Sequence, residues 1–178
     1  VKNYGADAVR LFILSDSPPE KDVQWSDQGM VASYKFIQKF WILHKKIVLK
    51  SQQQKKESQI FSESLEEFTN QTINKINISL NKFSYNVIIA NLHEIYNFFN
   101  KTLEKKVFDK NLIANYIKIL TIMIPITPHL ANECLEEMAS NKNYFWPEIN
   151  NKYLENNQCK IVIQINGKKR GLILTEKN

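Results

Sequence analysis

Lysines recur along one side of the first long helical segment. Lys35, Lys39 and Lys46 are separated by four and seven positions, and this spacing places them on one face of an α-helix. A row of ammonium groups can bind successive phosphates of a polyanion, through contacts that carry no base information and weaken with salt. The alternative is an ordinary solvated helix face in a lysine-rich protein, and the sequence leaves both interpretations open.

A second group of cations follows a turn signal near the C-terminal end. Lys168, Lys169 and Arg170 come directly after Asn166-Gly167, a dipeptide that strongly favours a two-residue β-hairpin turn. On the two-residue period of a strand, Lys168 and Arg170 share one face of the sheet and Lys169 faces the other way. A protruding hairpin presents its charges clear of the rest of the protein, so this cluster favours contact with a polyanion.

The sequence contains no recognisable motif that would bring together groups for covalent chemistry. The sequence has no glycine-rich phosphate loop, no HExxH and no nucleophile elbow. A lone helical histidine is more often structural than a ligand, and glutamates at helical spacing are expected on solvated faces. We therefore predict no catalytic, cofactor-binding or metal site from these residues: His44, His93, His129, Glu66, Glu67, Glu133, Glu136 and Glu137.

Composition limits the class of protein. With 178 residues, 43% hydrophobic and 24% charged, the chain can form one ordinary domain, or a domain with a small appendage, and is not wholly disordered. The net charge of +6 suits a nucleic-acid partner. However, 22 Lys, 20 Asn and 22 Ile are a bias typical of AT-rich genomes, which accounts for part of that charge without any selection for binding.

Cysteine usage and hydropathy indicate a soluble, cytoplasmic protein. Cys134 and Cys159 lie 25 positions apart, which gives neither a disulfide framework nor a four-ligand zinc site, so we expect two reduced thiols. The most apolar run, 117–126, is too short to span a bilayer, and no secretory signal is visible. Since the chain opens on Val1 rather than Met and stops just after a strand-like run, we expect it to be a piece of a longer polypeptide.

Hydrophobic periodicity predicts a mainly α fold, an antiparallel helical bundle with a small C-terminal β-hairpin. The pattern Ser64-Leu65-Glu66-Glu67 is a capping box that is expected to open one helix. Alternation over 160–165 and 168–174 predicts the hairpin. The helices are expected over 6–14, 29–50, 64–80, 84–101, 109–124 and 128–140.

Several segments resemble, in order, the C-terminal part of the leucyl-tRNA synthetase family of class I aminoacyl-tRNA synthetases. The segment 4–12 is similar to the helix after the KMSKS loop throughout this class, whereas 17–27 and 34–41 are more specific to the leucyl family. Matching residues continue through the bundle and into a final hairpin. They are Gln71, Thr72, Ile73, Tyr85, Asn86, Glu94, Asn97, Pro125–His129, Glu133, Trp146, Pro147 and Gln164–Gly171.

This resemblance implies a domain organisation and a function. Residues 1–27 would be a connector that follows the catalytic domain, 28–147 the anticodon-binding-type helical domain that holds tRNA(Leu), and 148–178 the start of a small C-terminal domain. The family joins leucine to tRNA with ATP and Mg²⁺, as a monomer away from membranes. The HIGH and KMSKS signatures and the editing domain are not in this sequence, so the fragment is expected to be non-catalytic and to bind tRNA through Lys35, Lys39, Lys46, Lys168, Lys169 and Arg170.

Departures from the family pattern are few, and two alternatives remain. Cys134-Leu135 stands where the family commonly has Leu-Trp, and Asn132 replaces a usual acid; both are packing or surface changes. One alternative is the equivalent region of a valyl, isoleucyl or methionyl enzyme. The other is a non-enzymatic helical interaction module, which would show an exposed apolar groove rather than a closed core.

Overall fold

Helices dominate the structure, a computed structural model that describes residues 1–16, 21–52, 59–60, 62–104, 108–138, 144–154, 158–166 and 168–176. The expected helices are confirmed, each with slightly different ends. Parts of three predicted segments (17–20 of the connector, the helix end at 139–140, and Gly167) lie outside the described residues. The helices are α1 Ala6–Asp16, α2 Asp27–Gln52, α3 Glu63–Asn81, α4 Tyr85–Leu103, α5 Leu112–Met123 and α6 Pro128–Met138.

Four strands complete the described secondary structure. β1 (Gln59–Ile60) and β2 (Phe108–Asp109) form a short parallel pair that periodicity did not predict. This pairing corrects the expected start of α5, because Asp109 is a strand residue and the helix begins at Leu112. β3 (Gln158–Ile165) and β4 (Lys168–Glu176) form the predicted antiparallel hairpin.

Contacts between side chains fix the directions of the helices. Phe68 stacks on Phe98 with ring centroids 3.8 Å apart, and Lys75 pairs with Glu94 at 3.5 Å, so α3 and α4 run antiparallel. The ring of Phe36, in the first half of α2, contacts that of His93 of α4. At the C-terminal ends of the same two helices the Lys50 Nζ donates to the Leu103 carbonyl, so α2 and α4 run parallel. Helices α2, α3 and α4 therefore alternate in direction, as expected for an antiparallel bundle.

Burial follows the predicted stripes. On α2 the side chains of Phe36, Phe40, Leu43 and Ile47, spaced by four, three and four, are at most 5% exposed. They pack into a closed core with the apolar faces of α3, α4, α5 and α6. Tyr116 of α5 lies at its centre. The fully buried residues of the apolar stripes thus pack against one another in the core.

Helix α1 packs on the bundle through the face that its sequence predicts. Ala8, Leu11 and Phe12 are nearly fully buried. A Cβ at Gly29 of α2 would lie 2.7 Å from the Phe12 ring, so the close approach of the two helices needs a residue without a side chain.

The predicted capping box is wrong. Helix α3 begins at Glu63, with Ser62 at the N-cap and no side-chain bond from it to the helix; its hydroxyl lies 2.8 Å from that of Ser64. Ser64 therefore lies inside the first turn, and Glu67, the glutamate three positions after it, is exposed. Glu66 has distant partners instead: its Oε1 accepts from the amides of Asn111 and Asn115 at 2.8 and 2.9 Å. Asn115 is fully buried and Asn111 half-buried, so the Glu66 carboxylate, which was expected on a solvated face, is instead held against the start of α5.

Asparagines of α3 hold the segment that leads out of the bundle. Asn70, Asn74, Asn77 and Asn81 recur at steps of four, three and four. The Oδ1 of Asn70 accepts from the backbone N–H of Asn150 at 2.8 Å, and the Oδ1 of Asn77 accepts from the Trp146 indole at 2.9 Å. The extended segment 144–154 is thereby fixed along α3 before the chain enters the hairpin.

Among the described residues, no helix has both the length and the apolar character that a membrane span requires.

Candidate nucleic-acid interface

The three predicted lysines of α2 form one exposed row. Lys35, Lys39 and Lys46 are all solvent-exposed, and at 100° per residue their directions fall within an arc of about 40°. The row extends about 16 Å along the helix, at a rise of 1.5 Å per residue. Because buried residues fix the opposite side of α2 in the core, the row is carried on a rigid support.

Two further α2 lysines have structural partners instead. The ammonium of Lys45 forms an ion pair with Glu137 of α6 and lies 4.4 Å from the centre of the Trp41 ring. Lys50 bonds the end of α4 through the Leu103 carbonyl at 3.0 Å. These contacts leave Lys35, Lys39 and Lys46 as the α2 lysines whose geometry suits an external anion.

Glu137 lies on an exposed face of α6, as expected, but it also has structural partners. Its Oε2 lies 3.0 Å from the Nε2 of His44, a fully buried ring whose Nδ1 lies 3.2 Å from the Tyr116 hydroxyl. Burial lowers the pKa of His44, and the bond to Glu137 opposes this shift in part. The neutral ring therefore donates from Nε2 to the carboxylate and accepts at Nδ1 from the tyrosine, so both of its nitrogens have partners within the bundle.

His93 borders the lysine row on α4. Its ring lies 4.5 Å from that of Phe36, centroid to centroid. Partial burial, and then the charge of Lys39, lower its pKa. His93 is therefore neutral near pH 7, so the positive potential of this surface comes from the lysines.

The hairpin cations lie on β4, where the pairing contains a bulge. Ile165 pairs with Lys168 and Gln164 with Lys169, but Ile163 pairs with Gly171. Arg170 is the extra residue, so the pairing of β4 departs from strict two-residue alternation between Lys169 and Gly171. Arg170 is exposed, whereas the side chains of Lys168 and Lys169 lie outside the described part of the chain.

The hairpin turn keeps its expected backbone signature. Asn166 has φ of 51°, in the left-handed region that the first residue of a type I′ turn requires. Asparagine tolerates this region better than most residues, which explains its place before Gly167. The lysine row and the hairpin cations thus belong to two separate elements.

Sequence analysis did not identify an exposed aromatic residue at the turn between α3 and α4. Phe83 is 60% exposed and has φ of 53°. The backbone N–H of Ser84 donates to the Ser79 carbonyl and that of Phe83 to the Leu80 carbonyl, at 2.9 and 3.1 Å. This is the helix ending that normally carries glycine, and a residue with a Cβ there costs about 1–2 kcal/mol. No sequence signal marks it, because the usual glycine is absent.

Metal-ligating side chains are not clustered in the described ranges. No three His, Cys, Asp or Glu side chains of that part of the chain are placed to hold a metal ion. A largely apolar cavity of about 570 Å³ lies between α1, α2 and α6, lined in part by Tyr4, Trp41 and Leu130. Its polar groups include Asp7, which is already bonded to the N-terminus of α6.

Comparison with known proteins gives one family. Residues 63–178 match the family model described as the anticodon-binding domain of tRNA ligase. Relatives named leucine–tRNA ligase include that of Coxiella burnetii strain RSA 493, 31% identical over 97% of this chain and 23% of its own length. That of Syntrophobacter fumaroxidans is 33% identical over 97% of this chain and 22% of its own length. The chain therefore spans less than a quarter of these relatives.

A solved structure gives the same fold. The ternary complex of Agrobacterium radiobacter K84 agnB2 LeuRS with tRNA and LeuAMS contains a chain that matches all of this one with a TM-score of 0.75. The match covers 24% of that chain at 22% sequence identity. At this identity the likeness shows the helical fold.

Proposed function

Since the chain belongs to the family of anticodon-binding domains of tRNA ligases, we propose that it is the tRNA-holding part of a leucine–tRNA ligase. The observation that carries this proposal is the lysine row of Lys35, Lys39 and Lys46, exposed together on a helix whose other side is fixed in the core. The leucine specificity comes from relatives that match nearly the full length of the chain.

The lysine row would act by positioning. Contacts between ammonium groups and phosphates fix the register and orientation of a nucleic acid without reading its bases. Held in this way, a folded tRNA presents its 3′ end to a distant active site, which raises the rate by removing the entropic cost of orientation. Lys168, Lys169 and Arg170 would add a second contact from the hairpin.

The chemistry of the ligase would lie elsewhere in the polypeptide. The whole enzyme would join leucine to tRNA(Leu) with ATP and Mg²⁺ in the cytoplasm, as a monomer. The described residues do not fit the Mg²⁺ of that reaction, because they hold no cluster of carboxylates for it. No step of the reaction is assigned to this chain, which would comprise a connector (1–27), the helical domain (28–147) and the start of a C-terminal domain (148–178).

A salt titration of tRNA(Leu) binding tests the proposal. The logarithm of affinity falls with the logarithm of salt by about 0.7–0.9 per phosphate contacted. We expect the triple variant K35A/K39A/K46A of the 178-residue chain to lower this slope by about two to three. The variant K168A/K169A/R170A should lower it by up to about three.

Two paired lysines provide the matched control. Lys75 forms an ion pair with Glu94 and Lys152 with Glu63, so K75A/K152A should leave the slope near that of the wild type. Equal slopes in the wild type and in both triple variants would contradict the proposal. An equal loss in the control would show that only net charge matters.

A further inference from the structure

We propose that Phe83, at the turn between α3 and α4, is a stacking platform for an unpaired nucleobase of tRNA, with Lys82 beside it on the adjoining phosphate. This inference rests on the proposed function and adds a contact of a different kind from the lysine row. The row binds phosphates, whereas a phenyl ring binds the face of a base.

Folding alone does not account for phenylalanine at this position. Its backbone is in the left-handed region, with φ of 53°, where glycine is the favoured residue. Its side chain is 60% exposed, so it gains little from burial. Both the backbone conformation and the contact with water therefore disfavour this residue in the free protein, and a binding role would offset that cost.

The surroundings of Phe83 suit a nucleobase. The ring of Tyr85 packs edge-on against it, with centroids 6.2 Å apart, and limits its movement. Lys82 is exposed beside it. The sequence contains no acid between Glu67 and Glu94, so no carboxylate of this stretch opposes a phosphate. An aromatic ring with an adjacent cation is the arrangement by which proteins bind unstacked bases of RNA.

A protein partner is less consistent with the size of the apolar surface. Ile78 and Val87, on the flanking helical turns, are 47% exposed each. One phenyl ring and two aliphatic side chains fall well short of the about 800 Å² per partner that a stable interface buries. A single base, in contrast, needs only one ring face.

Substitutions of Phe83 separate stacking from charge. In the 178-residue chain we expect F83L and F83G to bind tRNA(Leu) about five- to a hundredfold more weakly at fixed salt, and F83W to retain the affinity. The salt slope should stay at its wild-type value in all three, because no phosphate contact of the row is lost. F83G should melt at or above the wild-type temperature, since glycine relieves the backbone. F145L, at an exposed phenylalanine outside the turn, is the control and should bind as the wild type does.

Each other result overturns the inference. Unchanged affinity in F83L and F83G, with a normal salt slope in the wild type, would remove the stacking contact and leave the proposed function intact. An equal loss in F145L would show that any exposed ring contributes. A failure of the wild-type chain to bind tRNA would overturn the proposed function and this inference together.

Discussion

Asp7 on α1 caps the first turn of α6, because its Oδ2 accepts a hydrogen bond from the backbone N–H of Leu130 at 2.7 Å. Its Oδ1 lies 2.9 Å from the Nδ1 of His129. One turn further along α1, the Arg10 guanidinium donates to the carbonyls of Pro125 and Ile126. Asp7 and Arg10 of α1 thus bind backbone N–H and C=O groups at the junction of α5 and α6. These bonds hold the first helix of the chain against its last two helices.

Replacing Asp7 by asparagine should destabilise the fold. The carboxylate has two acceptor oxygens, whereas an amide has one, so D7N leaves a donor facing either Leu130 N–H or His129. An unsatisfied buried donor costs about 1–3 kcal/mol, which corresponds to a fall in Tm of about 2–4 °C per kcal/mol for a chain of this size. Thermal unfolding followed by circular dichroism measures it.

The control for D7N is D22N, at an exposed carboxylate of the connector. It changes the net charge in the same way and should leave Tm within about 1 °C, as is usual for surface substitutions. If D22N and D7N lowered Tm equally, the loss would reflect charge and not the cap.

Periodicity predicted the helices because each apolar stripe is long and faces one closed core. Phe36, Phe40 and Ile47 could be assigned to the interior from spacing alone. The capping box failed because the helix begins at Glu63, before the expected cap, which places Ser64 inside the first turn. The bonds from Asn111 and Asn115 to Glu66 were hidden from sequence analysis as well, since the two amides lie 45 and 49 positions away.

The candidate interface was predictable only in part. The positions of Lys35, Lys39 and Lys46 follow from helical geometry, and the structure places all three on an exposed face. Their role in binding stays a prediction. The strained backbone of Phe83 could not be foreseen, because a local sequence without glycine gives no sign of a left-handed residue. The asparagine row of α3 was likewise obscured by the general abundance of asparagine.

Stability should fall with pH below about 6.5. Burial lowers the pKa of His44 from its ordinary value of 6.5 in the folded chain. Between the folded and unfolded values, the unfolded chain binds a proton that the folded chain does not, so the free energy of unfolding decreases as pH falls. Below the usual value of 4.5, loss of the Glu137 charge should add to the decline, because its bonds to Lys45 and His44 lower its pKa. Urea unfolding at a series of pH values measures both steps.

Two histidine variants show which histidine causes the loss of stability just below pH 6.5. Burial also lowers the pKa of His93, so this ring contributes in the same window. Because His44 is wholly buried and His93 exposed, we expect H44Q to flatten the dependence below pH 6.5 more than H93Q does. A slope that is unchanged in H44Q would contradict the assignment, whatever the absolute stability of the variant.

Cys134 should resist thiol reagents in the native protein. The thiol is fully buried, and burial, reinforced by the charges of Glu137 and Glu133, raises its pKa to about 12. The reactive species is the thiolate, which is therefore scarce and inaccessible. At about pH 8, where an ordinary thiol is partly ionised, iodoacetamide should label this site only in denaturant. Peptide mass spectrometry measures the labelled fraction. Rapid labelling of the folded chain at Cys134 would contradict the packing of α5 against α6.

The backbone amide of Asn150 should report whether the segment 144–154 is held on α3. Its N–H donates to the Oδ1 of Asn70 at 2.8 Å, and Asn70 is 1% exposed. In N70A that acceptor is lost, so hydrogen exchange at Asn150 should become faster. N70D keeps an oxygen at the same place but loses the Nδ2 donor that bonds the Glu66 carbonyl at 2.8 Å, so exchange at Asn150 should be slower in N70D than in N70A. Exchange followed by NMR resolves the single amide.

The neighbouring amide of Lys152 provides an internal reference for this measurement. Its N–H donates to the side chain of Asn150 at 3.1 Å, a bond within the segment that does not involve α3. If N70A released the segment locally, Asn150 would accelerate far more than amides in the middle of α3. Uniform acceleration of both regions would mean that the substitution had destabilised the whole bundle. Slow exchange at Asn150 in N70A would mean that the Trp146 bond to Asn77 holds the segment by itself, and W146F combined with N70A would then be needed to free it.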